Sequence, residues 1–419
     1  MGAIMNMFCR TPIKALGCAA LMLAASACLA ADWPQFRGPD RDDISKETGL
    51  LKQWPAAGPA LAWKVNGLGG GFSGPSIVGN QLFTMGDRGG QEFVIALDLT
   101  THKEQWSTPV GPVYTNPNGT GPRCTPAVDG NFVFVLTPQG DVVCLQTADG
   151  KIVWRKNLIT DFGGKMMSGW GYSESPLVDG NNVICTPGGS QGSALALNKK
   201  TGELVWRCQA ITDSASYSSF VPAVIGGVRQ YIQLSDQNVY AVSESGKLLW
   251  KAARRGSTAV IPTPIVRDGI VFVASGYGNG CNAFKISAEA GSFKAEQIYA
   301  NKDMVNQHGG VILVGDYVYG SSDNGQFRCL DFKTGKVVWE NRSVGKSSVT
   351  CADGMLYIRA EAGAGTVALV EATPTGYKET GRFNQPERTR LNSWVHPVVV
   401  GGKLYLRDQD LLLCYDVKK

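Results

Sequence analysis

Residues 123–155 alternate short apolar runs with polar breaks. "RCTPAVD" meets a break at "DGN", "FVFVLT" one at "PQG", "DVVCLQT" one at "ADG", and "KIVWRK" closes the unit. Short runs rich in Val, Ile and Phe, broken by Asp-Gly, Asn and Pro, read as strands joined by tight turns. The same order returns from "YSESPLVDGNNVICTP" and from "IPTPIVRDGIVFVAS". One phrase ends most units: "ADGKIVW" (148–154), "KTGELVW" (200–206), "ESGKLLW" (244–250) and "KTGKVVW" (333–339), with a worn copy "THKEQW" at 101–106.

The phrase has a period. Trp63, Trp106, Trp154, Trp206 and Trp250 are separated by 43, 48, 52 and 44 residues, and Trp339 follows 89 residues later, two periods on. Tyr299 fills the gap, and Phe383 supplies an eighth member. Four strands per repeat at this spacing predict an all-β, eight-bladed β-propeller of four-stranded blades. The turn glycines give the positive φ that a tight hairpin needs. The tryptophans are expected to fill the wedges between blades. "PALAWKV" (59–65) is an outer strand without inner ones, and "VHPVVVGGKLYLRDQDLLLCYDV" is three strands without an outer one. Pairing the two closes the ring and removes its free edges. The expected organisation is a signal peptide over 1–30, an N-terminal arm over 31–58 and the propeller over 59–419. The arm is expected to lie on the body, its Asp40, Asp42 and Asp43 read as a solvated acidic turn or a cation site.

Composition changes this picture little. Only 18% of the 419 residues are charged and the net charge is +5. Removing the leader, with Arg10 and Lys14, leaves about +3. That charge is too weak and dispersed to imply nucleic acid. The leader's apolar run "ALGCAALMLAASACLA" (15–30) suits export, with cleavage near Ala30 or Ala31. Its "ASAC" also matches a relaxed lipobox, with Ala25 in place of Leu, which would make Cys28 a lipid anchor; membrane attachment is expected only in that case. Nothing later in the chain reads as a bilayer span. Eight cysteines follow the leader, mostly inside apolar runs, and read as core fillers. No CxxC, CxxCH or adjacent pair occurs.

"DVVCLQTADGKIVW" and "QFRCLDFKTGKVVW" resemble the PQQ-like repeat family, which includes quinoprotein alcohol dehydrogenases and outer-membrane assembly lipoprotein propellers. "DWPQFRGPDRDDIS" is similar to the start of exported propellers of that family. The resemblance covers residues 59–419 and implies the fold. For the dehydrogenases it implies PQQ with calcium, held by an Asn and an acidic residue beside an Asp base. This chain is shorter, lacks the adjacent cysteine pair and the cytochrome motif, and shows no such Glu/Asn/Asp set by motif. For the assembly factors it implies a protein partner in the outer-membrane assembly machinery, and a periplasmic or envelope location.

Alternation of strand direction sends long loops to one face and tight turns to the other. Function concentrates in irregular loops. Those before the innermost strands carry Arg123, Lys165, Trp170, Tyr172, Glu174, Tyr217, His308, Lys346, Trp394 and His396, which are expected to converge on one funnel mouth. One reading is a wet channel lined by polar residues. Another is a binding site in which Arg123, with Lys165 or Lys346, holds an anionic group while Tyr172, Tyr217 and Trp394 stack a planar or sugar-like body. Three functions follow: a non-catalytic exported binding or scaffold protein, a PQQ- and calcium-dependent dehydrogenase, or a hydrolase or lyase using Glu174 and His308 as an acid/base pair.

Overall fold

In the computed structural model, which describes residues 1–2, 32–289 and 291–419, eight antiparallel sheets follow one another as blades. The expected leader cleavage and Cys28 fall outside the described residues. Within each sheet the strands run outward in chain order; in the second blade they are Ala127–Asp129, Phe132–Leu136, Asp141–Gln146 and Ile152–Asn157. No helix occurs among the described residues. Seven blades span 76–112, 127–157, 177–208, 221–253, 265–301, 311–341 and 347–383. The eighth joins Val398–Val400, Lys403–Asp408 and Leu411–Asp416 to Ala60–Val65, with Trp63 opposite Cys414. The ring therefore closes as the sequence predicts.

Every outer strand carries a bulge. Val153 drops out of register before Trp154, Val205 before Trp206 and Val338 before Trp339. Such a bulge re-aims the following side chain. The ring lands on the next blade: Trp106, Trp154 and Trp339 each donate Nε1–H over 2.9 Å to a carbonyl there, of Thr147, Lys199 and Thr373. Those carbonyls belong to the turn between the third and fourth strands. In that turn Gly150, Gly202 and Gly246 have φ of 70°, 72° and 78°. A Cβ on them would stand 2.4, 2.8 and 2.5 Å from Trp106, Trp154 and Trp206. The turn is glycine for two reasons at once, its backbone conformation and the ring pressed against it. Tyr299 meets Gly335 in the same way, and Trp63 stacks on His102, which holds the turn position at φ 56°.

The seventh blade differs. Its dropped residue is Thr380, so the ring position is Gly381. Trp54 of the arm covers that glycine, its Cβ 2.7 Å from where a Gly381 Cβ would be. Phe383, the expected ring residue, instead packs on Trp54 and presses Gly58. One chain segment thus supplies a missing wedge from outside its own repeat.

The arm does not merely lie on the body. Trp33 pairs with Ile77 of the first innermost strand, and Ile44–Ser45 adds a parallel strand to Ser347–Ala352 of the seventh blade. Between these points the chain crosses the central channel. Arg37 donates to the carbonyls of Gly309 and Val311 beside the sixth blade, and Arg41 to those of Ser175 and Pro176 beside the third. Arg37, Arg41 and Asp43 are each no more than 2% exposed. Burial lowers Arg41 to about 10. These three residues have φ of 64°, 58° and 60°, a left-handed conformation that costs about 1–2 kcal/mol apiece. The guanidinium bonds to backbone carbonyls hold it in place. Asp43 is therefore no part of a solvated turn, because the channel needs a filling and the arm provides it.

Gly202→Ala and Gly130→Ala introduce the same strain at left-handed turns, but only Gly202 faces a ring; nothing lies within 4 Å of a Cβ on Gly130. Urea midpoints are expected to show Gly202→Ala the more destabilising by about 1–3 kcal/mol. Equal losses would remove the role assigned to the cross-blade contact.

Candidate functional site

Above the arm the loop face opens into a cup of about 120 Å³, continuous with solvent. Its wall is aromatic. Phe72 and Trp394 have ring centroids 4.5 Å apart, Trp394 and Trp170 6.1 Å, and Trp170 and Tyr217 6.3 Å. Trp33 and Phe36 of the arm contribute to the lining from below, with Ile261 and Val395 at the sides. Inner strands converge on the ring axis, so the residues just before them meet even when far apart in sequence. Arg123, Trp170, Tyr217, His308, Trp394 and His396 are brought together in this way.

Most ionisable groups around the cup are paired with one another. Asp43 Oδ2 lies 3.0 Å from Arg37 Nε and 2.9 Å from His396 Nδ1. Glu361 Oε1 lies 3.0 Å from His308 Nε2 and accepts Trp394 Nε1–H at 2.8 Å, while Oε2 is 3.3 Å from Lys346 Nζ. Lys346 also donates to Gln307 Oε1 at 2.6 Å. It stands behind the cup rather than in it. Burial alone would raise the Glu361 carboxyl; His308, Trp394 and Lys346 outweigh it and hold the group down at about 2. Arg123 donates to the carbonyls of Gly121 and Gly119 and lies over the Tyr114 ring, 5.2 Å from its centroid.

Four expected residues are not part of the cup, Lys346 and three others. Lys165 is exposed, and its backbone joins Pro187 and Ala215. Tyr172 is buried and donates its hydroxyl to the Pro187 carbonyl. Glu174 is fully buried, accepting from Thr186 N at 2.7 Å, Thr186 Oγ1 at 3.0 Å and Gln233 Nε2 at 3.3 Å. Its burial pushes the carboxyl up to about 8. The proposed Glu174–His308 acid/base pair is thus corrected: His308 faces Glu361, and Glu174 serves a buried network. Sequence reading missed Glu361, Arg37, Asp43 and Phe72. Glu361 stands in "AEAGAG", a long second-to-third-strand connection on the same face, which was the available signal.

The sequence matches a PQQ-like family model, that of outer membrane protein assembly factor BamB, over residues 90–341 and 303–415. The chain belongs to the PQQ-like repeat propeller family. Among curated family relatives, BamB of Bordetella pertussis is 22% identical over 265 residues, covering 60% of this chain and 61% of that protein. Tetrathionate hydrolase of Acidithiobacillus ferrooxidans is 27% identical over 202 residues, covering 40% and 38%. The chain thus spans about two fifths to three fifths of the curated relatives it matches. The fold of the PQQ-like family is also seen in BamB from Moraxella catarrhalis, at a TM-score of 0.63, 14% identity and coverage of 86% and 98%. Quinohemoprotein alcohol dehydrogenase from Comamonas testosteroni gives 0.64 at 14% identity, covering 94% and 82%.

The dehydrogenase branch of this family raises the question of calcium and PQQ. Calcium takes six to eight oxygen ligands. Among the described residues no group of three or more His, Cys, Asp or Glu is placed to hold a metal. The two carboxylates beside the cup, Asp43 and Glu361, are already paired with Arg37 and Lys346, and His396 and His308 stand 2.9 and 3.0 Å from them. A calcium-bound quinone would have to strip those partners away. The donor set does not fit it.

Because Glu361 is held near 2 in the fold against an ordinary value of 4.5, its contribution to stability is complete above pH 4.5. It is lost as the pH falls toward 2. The stability gap between wild type and Glu361→Gln, from urea midpoints, is expected to shrink by about 2 kcal/mol between pH 6 and pH 3. A gap that stays constant over that window would show that the carboxylate is not held in this way.

Proposed function

We propose that the chain is an exported, non-catalytic binding propeller of the cell envelope, with the aromatic cup on its loop face as the recognition site. The observation that carries this reading is the pairing of both carboxylates, Asp43 and Glu361, with basic side chains around an apolar cup. A catalytic acid or base must reach its substrate. Here the side chains of His308 and Glu361 are 2% and 10% exposed and stand 3.0 Å apart. What remains accessible is ring surface, the usual material of a recognition hot spot.

Similarity to BamB supports a partner in the outer-membrane assembly machinery, and export agrees with the leader read from the sequence. The tagged full-length protein, cross-linked and captured from envelopes of its own host, is expected to bring down assembly-machinery components. Trp170→Ala is expected to reduce that recovery about tenfold or more. Recovery without such components would refute the assembly partner. PQQ with calcium is expected to leave the protein's absorbance unchanged. A stoichiometric change with alcohol-dependent dye reduction would replace this reading with a dehydrogenase.

A further inference from the structure

Arg123 stands out among the basic groups around the cup. Arg37 and His396 share Asp43, and His308 and Lys346 share Glu361. Among the described residues, no carboxylate forms an ion pair with Arg123. Its two terminal nitrogens bond only to the carbonyls of Gly121 and Gly119, which fix the guanidinium without neutralising it. Burial lowers its pKa from the ordinary value, with Glu92 acting in the opposite sense. Glu92 compensates weakly, since its own burial pushes it up to about 7. One positive charge is therefore left over, half-buried and held in position.

That charge sits against the ring wall. A Cβ on Gly119 would stand 2.7 Å from Phe72 and 3.1 Å from Trp394, so the loop that anchors the guanidinium packs directly on these two rings. The cup thus offers a fixed cation at the border of a continuous apolar wall. A cationic ligand is repelled there, and a neutral ring leaves the partly desolvated guanidinium without a counter-charge. A flat body bearing one carboxylate meets both demands, because guanidinium and carboxylate match in charge and in geometry.

Building on the binding role proposed above, we propose that the cup receives a planar aromatic monocarboxylate, its ring against Trp394 and Trp170 and its carboxylate on Arg123. The carboxylate belongs either to a free aromatic acid or to the aromatic end of a chain.

Binding to the full-length protein is measured with 1-naphthoate, its neutral amide 1-naphthamide, and N-acetyl-phenylalaninate, following quenching of tryptophan fluorescence and confirming by calorimetry. Naphthoate is expected to bind saturably and at least about tenfold more tightly than naphthamide. Tighter binding of N-acetyl-phenylalaninate than of naphthoate assigns the site to a chain end, and the reverse order to a free acid. Arg123→Gln is expected to erase the preference for the carboxylate while leaving naphthamide binding, which also reports that the cup remains folded. Equal affinity of wild-type protein for naphthoate and naphthamide, or no saturable binding of naphthoate, overturns the proposal. If naphthoate fails to bind while Trp170→Ala still abolishes capture of envelope partners, the recognition role stands and only this ligand class falls.

Discussion

The structure depends on one contact made repeatedly: an aromatic ring from the outer strand of one blade against the hairpin turn of the next. Burying a large aromatic side chain is worth roughly 2–3 kcal/mol, and Trp106, Trp154 and Trp339 also satisfy a turn carbonyl with the ring N–H. Because each contact joins nearest neighbours only, stability accumulates blade by blade, as in other repeat proteins. A linear stack would leave its first and last sheets open. Here the turn role passes to His102 under Trp63 and to Gly58 under Phe383, so the same contact bridges both ends of the chain.

Closing eight wedges leaves a hole along the axis, and filling it is the second constraint. The arm answers with two buried arginines whose donors reach backbone carbonyls beside the sixth and third blades. Buried ion pairs such as Arg37–Asp43 contribute little net stability once desolvation is counted. They do fix geometry: with His396 on the same carboxylate oxygen, the arm has one way to sit. Trp54 then ties the exit of the arm to the seventh blade. The channel becomes a cup with a rigid floor.

Much of this was legible in the chain. The period of the tryptophans determined the blade count and the closing pair, and strand alternation placed six of the candidate residues at one mouth. The failures have physical causes. Ser173 lines the cup, whereas Tyr172 and Glu174 on either side of it are buried in hydrogen-bonded networks away from it. Adjacent residues in extended chain point opposite ways, so a loop-level assignment cannot separate them. Lys165 is held by backbone bonds to Pro187 and Ala215, with its side chain exposed. The partner of His308 lies 53 residues further on, in a connection of a different blade, and no local pattern encodes that pairing. The arm misled most, since Asp and Arg close together read as solvated unless a channel waiting to be filled is already known.

A shared propeller leaves function open, because fold and chemistry are separable. What separates a redox propeller from a recognition propeller is the material at the axis. A metal-bound cofactor needs uncommitted carboxylates converging on one point. In this chain Asp43 is already paired with Arg37 of the arm, and Glu361 with Lys346. The arm also replaces the lower channel with Trp33 and Phe36, extending the apolar lining downward. Neutralised charge and continuous ring surface lower the cost of desolvating the cup, which is the requirement of a site that binds rather than one that moves protons or electrons.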